Sequence, residues 1–410
     1  MTSAATRRSG IGIALSEIPT EAFVALSNLE RHWSTGAQPA KVRRLMQTLN
    51  NAASGIWTDD VKLAVSRASA LITFSNFPVG LLTLPGDTSP LAYRLPVTHR
   101  PLAPLTAALR YEFGPTPRID LSSGFRVLVA ECVGPDDPVG RLSRSGWDMA
   151  EEMLKSSPSK VIMTRVDVDS AAELDAAIDS HEPDVLVISA HGAEVDGVAG
   201  LRVGKDFYAG SRQRPWPPVV ILSACRVAPR GAGGPNIADR ILEQGAVAVL
   251  ATHVEVDVRH NALLCLRLFL YMALAIEGAE PEEDLLSVWH RVQGSSPIAD
   301  VMNGIGPLER WMQTVGSAGV PRFVQFMTEA TRGRLRRNHA FDDTERFLIE
   351  LAAETGDSAI LRQWLSSPGY LPESAFYSMA GLPENVLLKS RPVLSLPPLP
   401  RPRAVASGSA

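Results

Sequence analysis

Between Phe125 and Ile276 short apolar runs alternate with longer stretches whose apolar residues recur every three or four positions. The runs predict strands at Phe125–Cys132, Val161–Val166, Val185–Ser189, Val219–Leu222 and Val247–Ala251. The stretches between them predict helices. One covers Leu142–Leu154, and another opens at Ser170 with Glu173 three residues on, the pattern of a capping box. A third spans Ile237–Gln244 and closes at Gly245, a residue suited to a left-handed C-cap. The last, Asn261–Ile276, is apolar on most sides and is expected to be buried against the sheet. Strand and helix in alternation predict an α/β domain with a mostly parallel sheet.

The pattern changes on either side. Phe23, Leu26 and Leu29, then Val42, Leu45, Met46 and Leu49, follow helical spacing, so residues 1–68 read as a helical N-terminal region. From Leu71 to Val97 short β-type runs are punctuated by Pro78, Gly80, Pro85, Gly86 and Pro90, and a sheet edge or extension is expected there. The α/β domain is therefore drawn over 69–294. Residues 295–390 read as a second, helical region, with Phe323, Phe326 and Met327, then Phe347, Leu348, Leu351 and Ala352, then Ile360, Leu361 and Trp364. From Arg391 to Ala410 proline recurs every few residues, which favours an extended, disordered tail. No internal repeat is evident.

Composition narrows the partners. The 410 residues are 45% apolar, enough for a sizeable core. A net charge of -4, without a long Lys/Arg block, implies neither nucleic-acid nor membrane-surface binding. Met1–Pro19 lacks an apolar core of signal-peptide length, and Arg267 interrupts the most apolar later stretch, Leu263–Ile276. Cys132, Cys225 and Cys265 are too scattered for a disulfide framework or a zinc site. A soluble protein of the reducing cytoplasm, with no metal and no cofactor, is expected.

Two residues stand where chemistry would be done. In an open parallel sheet ligands sit beyond the carboxyl ends of the strands. His191 follows the strand Val185–Ser189 in Ser-Ala-His-Gly, and Cys225 follows Val219–Leu222 in Leu-Ser-Ala-Cys-Arg. If those strands are neighbours, an imidazole and a thiol share one edge, and the imidazole can withdraw the thiol proton and stabilise the thiolate. Gly192, lacking a Cβ, would let a substrate carbonyl approach, and its N–H with that of Cys225 could hold an oxyanion. The plain alternative is a strand-end cysteine buried as a small hydrophobe beside an ordinary loop histidine.

Other candidates are weaker. Cys132 ends the first strand pattern and reads as a core thiol. Asp136 and Asp137 follow the same strand and could bind a metal or phosphoryl group, but no suitably placed Lys accompanies them and a solvated loop is expected. Gly231-Ala-Gly-Gly-Pro lacks the Gly-Lys-Ser/Thr ending of a phosphate loop. His253 and His260 lack a third metal ligand, and one of them is expected to line the cleft.

The order of blocks from about Arg67 to Val288 resembles the CHAT family, relatives of caspases and separases. Those blocks are Phe74-Ser-Asn-Phe-Pro through Pro90-Leu-Ala, a strand ending in His-Gly, a strand ending in Leu-Ser-Ala-Cys, and Gln244-Gly-Ala-Val-Ala-Val-Leu-Ala-Thr followed by Val254, Glu255, Val256 and Asp257. The resemblance implies a caspase-like fold and a cysteine endopeptidase in which His191 is the base and Cys225 the nucleophile. It also implies limited cuts in a partner protein, in bacterial signalling or antiphage defence, with a gasdermin-like pore former among the possible targets. The chain departs from the family at Arg226-Val-Ala, where Glu-Thr-Gly is common, and at His253, where an aromatic is usual. Ser223, a substrate-binding candidate, stands where caspases carry Gln, so aspartate specificity is not carried over. Glu255 and Asp257 lie after Val247–Ala251, where a carboxylate would favour a basic side chain before the scissile bond. The helical flanks are expected to restrain the peptidase or dock a regulatory partner. Two alternatives stay open: a catalytically silent caspase-like scaffold, and a phosphoacceptor or nucleotide-binding domain that would need Asp136 and Asp137.

Overall fold

The computed structural model describes residues 10–32, 39–87, 89–102, 109, 117–156, 160–304, 306–329, 334, 336, 339–365 and 373–390. The proline-rich tail proposed for 391–410 lies outside them. The strands are β1 (Leu71–Phe74), β2 (Val97–Arg100), β3 (Ile119–Asp120), β4 (Phe125–Glu131), β5 (Val161–Asp167), β6 (Val185–Ser189), β7 (His191–Val195), β8 (Val198–Val203), β9 (Asp206–Tyr208), β10 (Val219–Ser223), β11 (Ala248–Thr252), β12 (Tyr377–Gly381) and β13 (Val386–Leu387). The helices the argument uses are α1 (Thr20–His32), α2 (Pro39–Ala52), α3 (Asp59–Arg67), α4 (Pro138–Ser156), α5 (Ala171–His181), α6 (Ile237–Glu243), α7 (Val258–Ile276) and α8 (Leu285–Gly304).

Eight strands form the main sheet in the order β1-β2-β12-β11-β10-β6-β4-β5. All neighbours are parallel except β11 and β12. The fold is thus a mostly parallel α/β sheet flanked by helices. Side chains alternate between its two faces, as the strand period of two requires. Val127, Val129, Val185 and Val187 pack against Trp147 and Leu154 of α4 and against Leu264, Phe269 and Val288 of α7 and α8. Leu128, Ala130, Leu186 and Ile188 face the opposite way, onto Leu174 and Ile178 of α5, Ile237 and Ile241 of α6, and Leu201 and Val203 of β8. Helix α7 is long and apolar enough to cross a membrane, with a mean hydropathy of 1.3, yet 56% of that stretch is buried inside the molecule. Its apolar surface is accounted for by the sheet it covers.

Three features differ from the sequence expectation. The loop after β6 is not irregular: β7, β8 and β9 form a three-stranded antiparallel sheet, turning at Asp196 (φ 51°) and Gly197 (φ 75°). Two consecutive positive φ angles are what a two-residue hairpin turn needs, and Asp-Gly supplies them. Second, residues 295–390 are not wholly helical, because Tyr377–Gly381 inserts as β12 between β11 and β2. That strand is buried along its whole length, so it shows no alternation to betray it. Third, the boundary drawn at 294/295 falls inside α8.

The N-terminal helices pack into the body of the molecule. Leu26, Leu29, Leu49 and Val61 share a core with Phe77, Leu91, Val254 and Phe376. Gly231 lies so close to α1 that a Cβ there would stand 2.4 Å from the Cα of Ser27. The buried Glu30 of α1 accepts hydrogen bonds from Arg230 N at 2.7 Å and Gly231 N at 3.0 Å, so α1 holds the loop that follows Cys225. Burial pushes the Glu30 carboxyl up to about 7, against the pull of those two amides. The helices over 306–365 enclose a smaller core of their own around Trp311, Phe326, Phe347 and Leu351.

Candidate active site

Strands β6 and β10 are hydrogen-bonded parallel neighbours, with Val185 opposite Val219 and Ser189 opposite Ser223. The pairing continues past the strand ends, where Ala190 N donates to Ser223 O at 3.2 Å. His191 and Cys225, each two residues beyond that last pair, therefore leave the same edge of the sheet. Gly192 and Cys225 touch through their backbones: a Cβ on Gly192 would stand 1.7 Å from the Cys225 carbonyl oxygen. The protein's own chain already requires the missing Cβ at this position.

The imidazole of His191 is partly exposed, and its Nε2 pairs with Oδ2 of Asp137 at 3.0 Å. With Nε2–H donating to the carboxylate, Nδ1 carries the free lone pair. The bond from His191, with a further bond from Val139 N, holds the Asp137 carboxyl below the usual range. Asp137 is the residue that sequence reasoning placed in a solvated loop. Its signal was positional: it follows β4, which pairs with β6 from Val127–Val185 to Glu131–Ser189 and so ends beside the strand that delivers His191. Beneath this edge the buried Glu131 accepts from Ser143 Oγ at 2.6 Å, Ser189 Oγ at 3.1 Å and Val133 N at 3.2 Å, fixing the strand ends.

Cys225 is half-buried, whereas Cys132 and Cys265 are buried. Burial pushes the latter two thiols up to about 12. The Cys225 thiol is also raised, first by burial, then by the carboxylates of Glu255 and Glu373, while the Val256 amide and Arg226 pull it down. Arg226 holds a left-handed φ of 50°, unusual for a residue with a Cβ. Its N–H donates to Val254 O at 2.9 Å, which stitches the nucleophile loop to the segment after β11.

The remaining candidates have other tasks. The Ser223 side chain is buried and accepts from Asn261 Nδ2, so it faces the interior of the site's wall. Asn261 in turn accepts from the Tyr377 hydroxyl at 3.2 Å. Asp257 is the N-cap of α7, its carboxylate accepting from Arg259 N at 2.8 Å and His260 N at 3.1 Å. Both bonds fall on Oδ1, so the cap uses one oxygen of the carboxylate. Glu255 is one of the carboxylates whose charge raises the Cys225 thiol. His253 lies in the interior, 1% exposed, with Nδ1 on Ala228 O at 2.8 Å, and does not line the cleft. Among the described residues no cluster of three His, Cys, Asp or Glu is arranged to hold a metal.

No family model matches the chain, and neither does any curated protein. Solved structures do overlap with it in part. The Saccharomyces cerevisiae separase–securin complex superposes with a TM-score of 0.38 at 11% identity, over 66% of this chain and 19% of that one. The Arg-specific cysteine proteinase gingipain R superposes with a TM-score of 0.34 at 10% identity, over 67% of this chain and 68% of that one. The complex of Porphyromonas gingivalis RgpB pro- and mature domains gives 0.38 at 10% identity, over 90% and 76%. The chain spans about a fifth of the separase chain, and overlaps this loose carry no argument about chemistry.

Proposed function

We propose that this chain is a caspase-like cysteine endopeptidase of the CHAT type, with Cys225 as nucleophile, His191 as base and Asp137 orienting the imidazole. The observation that carries the reading is the pairing of β6 with β10, which brings a histidine and a half-buried cysteine off one sheet edge with a carboxylate on the imidazole. In the proposed reaction His191 Nδ1 takes the Cys225 proton, and the thiolate attacks the scissile carbonyl carbon. The tetrahedral intermediate collapses as the imidazolium returns its proton to the leaving amine. Water, deprotonated by the same imidazole, then cleaves the thioester and frees the thiol. The N–H groups of Gly192 and Cys225 are the candidate oxyanion donors. Glu255 and Asp257 remain the carboxylates that would favour a basic side chain before the scissile bond.

The biological reading follows the family resemblance: limited cuts in a partner protein, in the cytoplasm of a bacterium, in signalling or antiphage defence, with a gasdermin-like pore former as one target. Co-expression of wild type or Cys225→Ala with a candidate target tests it. A defined product that appears with wild type and is lost with Cys225→Ala supports the proposal, and a product that persists removes it. One observation favours the second reading, a silent scaffold: the Cys225 sulfur is hydrogen-bonded to Val256 and the His191 imidazole to Asp137. That reading expects partner binding without cleavage.

A further inference from the structure

Both hydrogen bonds of the Cys225 thiol to described residues go to one residue, Val256. Its Sγ donates to Val256 O at 3.6 Å and accepts from Val256 N at 3.4 Å. Among the described residues no hydrogen bond joins Cys225 to His191; the sulfur is engaged by Val256 and the imidazole by Asp137. Val256 is anchored from both sides. Upstream, Val254 O accepts from Arg226 N at 2.9 Å. Downstream, Asp257 N lies 3.1 and 3.0 Å from the two carboxylate oxygens of Glu373. Glu373 precedes β12, and Tyr377 in that strand donates to it at 3.5 Å.

We propose that Glu373 is a positioning residue that seats Val256 over Cys225 in a resting site, which substrate or a partner opens by drawing residues 254–257 off the sulfur. The inference rests on Cys225 being the nucleophile of the proposed peptidase. A sulfur held by both the N–H and the C=O of Val256, which belong to consecutive peptide groups, must leave that residue before it can meet a carbonyl carbon. The cover is weakly held, since hydrogen bonds to sulfur are among the weaker ones, so a docking peptide can displace it. Glu373 also acts through charge. The charged groups acting on the sulfur are Glu255, Glu373 and Arg226; Asp257 is the charged group acting on Glu373, which the neutral Tyr377 phenol reaches by hydrogen bond. The same side chain therefore sets both access to the thiol and its ionisation.

Alkylation of Cys225 by iodoacetamide, followed on the full chain by peptide mass spectrometry across roughly pH 6 to 11.5, separates these two effects. The high-pH plateau reads access and the midpoint reads ionisation. Glu373→Ala removes acceptor and charge, so the plateau should rise about fivefold or more and the midpoint should fall. Glu373→Gln keeps an acceptor for Asp257 N and loses the charge, so the midpoint should fall while the plateau stays within about twofold of wild type. A merely structural role would not split the two variants in this way. A wild-type plateau in Glu373→Ala, or equal plateaus in the two variants, overturns the proposal. Should Glu373→Ala unfold, which simultaneous labelling of Cys132 and Cys265 would reveal, Tyr377→Phe takes its place. It should raise the plateau about twofold, and an unchanged plateau overturns the proposal equally. The readout is alkylation and needs no cleavage, so failure of the peptidase reading is detected separately by Cys225→Ala in the co-expression assay.

Discussion

Asp137 and His191 stand 54 positions apart in the chain, yet Oδ2 of the first meets Nε2 of the second at 3.0 Å. A carboxylate in this place selects the tautomer with a free Nδ1 and stabilises the imidazolium that forms when the thiol gives up its proton. Asp137→Ala should therefore lower kcat by about 100-fold with a smaller change in KM. Steady-state kinetics on a cleavable target check this, and an unchanged kcat would leave Asp137 as a surface residue.

Losing either His191 or Cys225 should abolish cleavage, and the double variant should be little worse than either single one, because both proton transfers run through the pair. Stability should change by about 1 kcal/mol or less, since both side chains are partly exposed and their truncation leaves no large cavity. Gel-based cleavage and thermal melts read the two quantities on the same samples.

Gly192→Ala tests the backbone contact between the two loops. Its Cβ would stand 1.7 Å from the Cys225 carbonyl oxygen, and a backbone atom cannot step aside as a side-chain tip can. The loops must separate, at a cost of about 1–3 kcal/mol. Activity should fall much further than stability, because the separation moves histidine from cysteine.

The loop beyond Cys225 is pinned by an ion pair. Arg230 meets both carboxylate oxygens of Asp239 at 2.5 and 2.7 Å, and both residues are buried. Removing one partner leaves an uncompensated charge, so Arg230→Ala or Asp239→Ala should each cost about 3–5 kcal/mol, while Arg230→Met with Asp239→Leu should cost far less. Urea denaturation reads the cost of each of the three variants.

Burial lowers His99 to about 3 and His253 to about 4, with the positive field of Arg230 adding to both. Below about pH 6.5 the unfolded chain takes up protons that these folded imidazoles refuse, so each withdraws stability as pH falls, at about 1.4 kcal/mol per unit in mid-window. Glu30, raised to about 7, and Glu373, raised to about 8, work in the opposite sense, because the folded state binds their protons more tightly. The whole-protein profile is thereby flattened, and a difference measurement is needed. His253→Asn should be less destabilising at pH 5 than at pH 8, by about 1–2 kcal/mol in parallel urea titrations.

Much of the sheet was legible because its strands are buried on both faces and read as apolar runs bounded by polar turns. Val185–Ser189 was placed to the residue, and Val219–Ser223 to within one. Tyr377–Gly381 was not legible, since Ser378 and Gly381 dilute its apolar character and its place depends on partners more than a hundred residues upstream. The antiparallel hairpin after His191 did leave a signal, Asp196-Gly197 between valines, but a short polar stretch rich in glycine masks strand propensity. At the site, His191 and Cys225 were marked by their strand-end positions. Asp137 was not, because sequence shows the end of β4 without showing that β6 lies beside it. Ser223 and Asp257 also serve the hydrogen-bonding needs of the wall and of the α7 terminus, which position along the chain does not reveal.

Because β12 is the strand that joins β2 to β11, the sheet stays in two pieces until residue 381 has left the ribosome. A growing chain thus carries Cys225 and His191 through much of its synthesis with the β1–β2 ribbon unattached and with Glu373 and Tyr377 still to arrive. Contacts this distant in sequence form slowly, so translation itself imposes an order in which the thiol's environment is completed only after residues 373–381 have followed. A ribosome stalled before Tyr377 would hold a nascent chain whose Cys225 alkylates without the cover that the released protein provides.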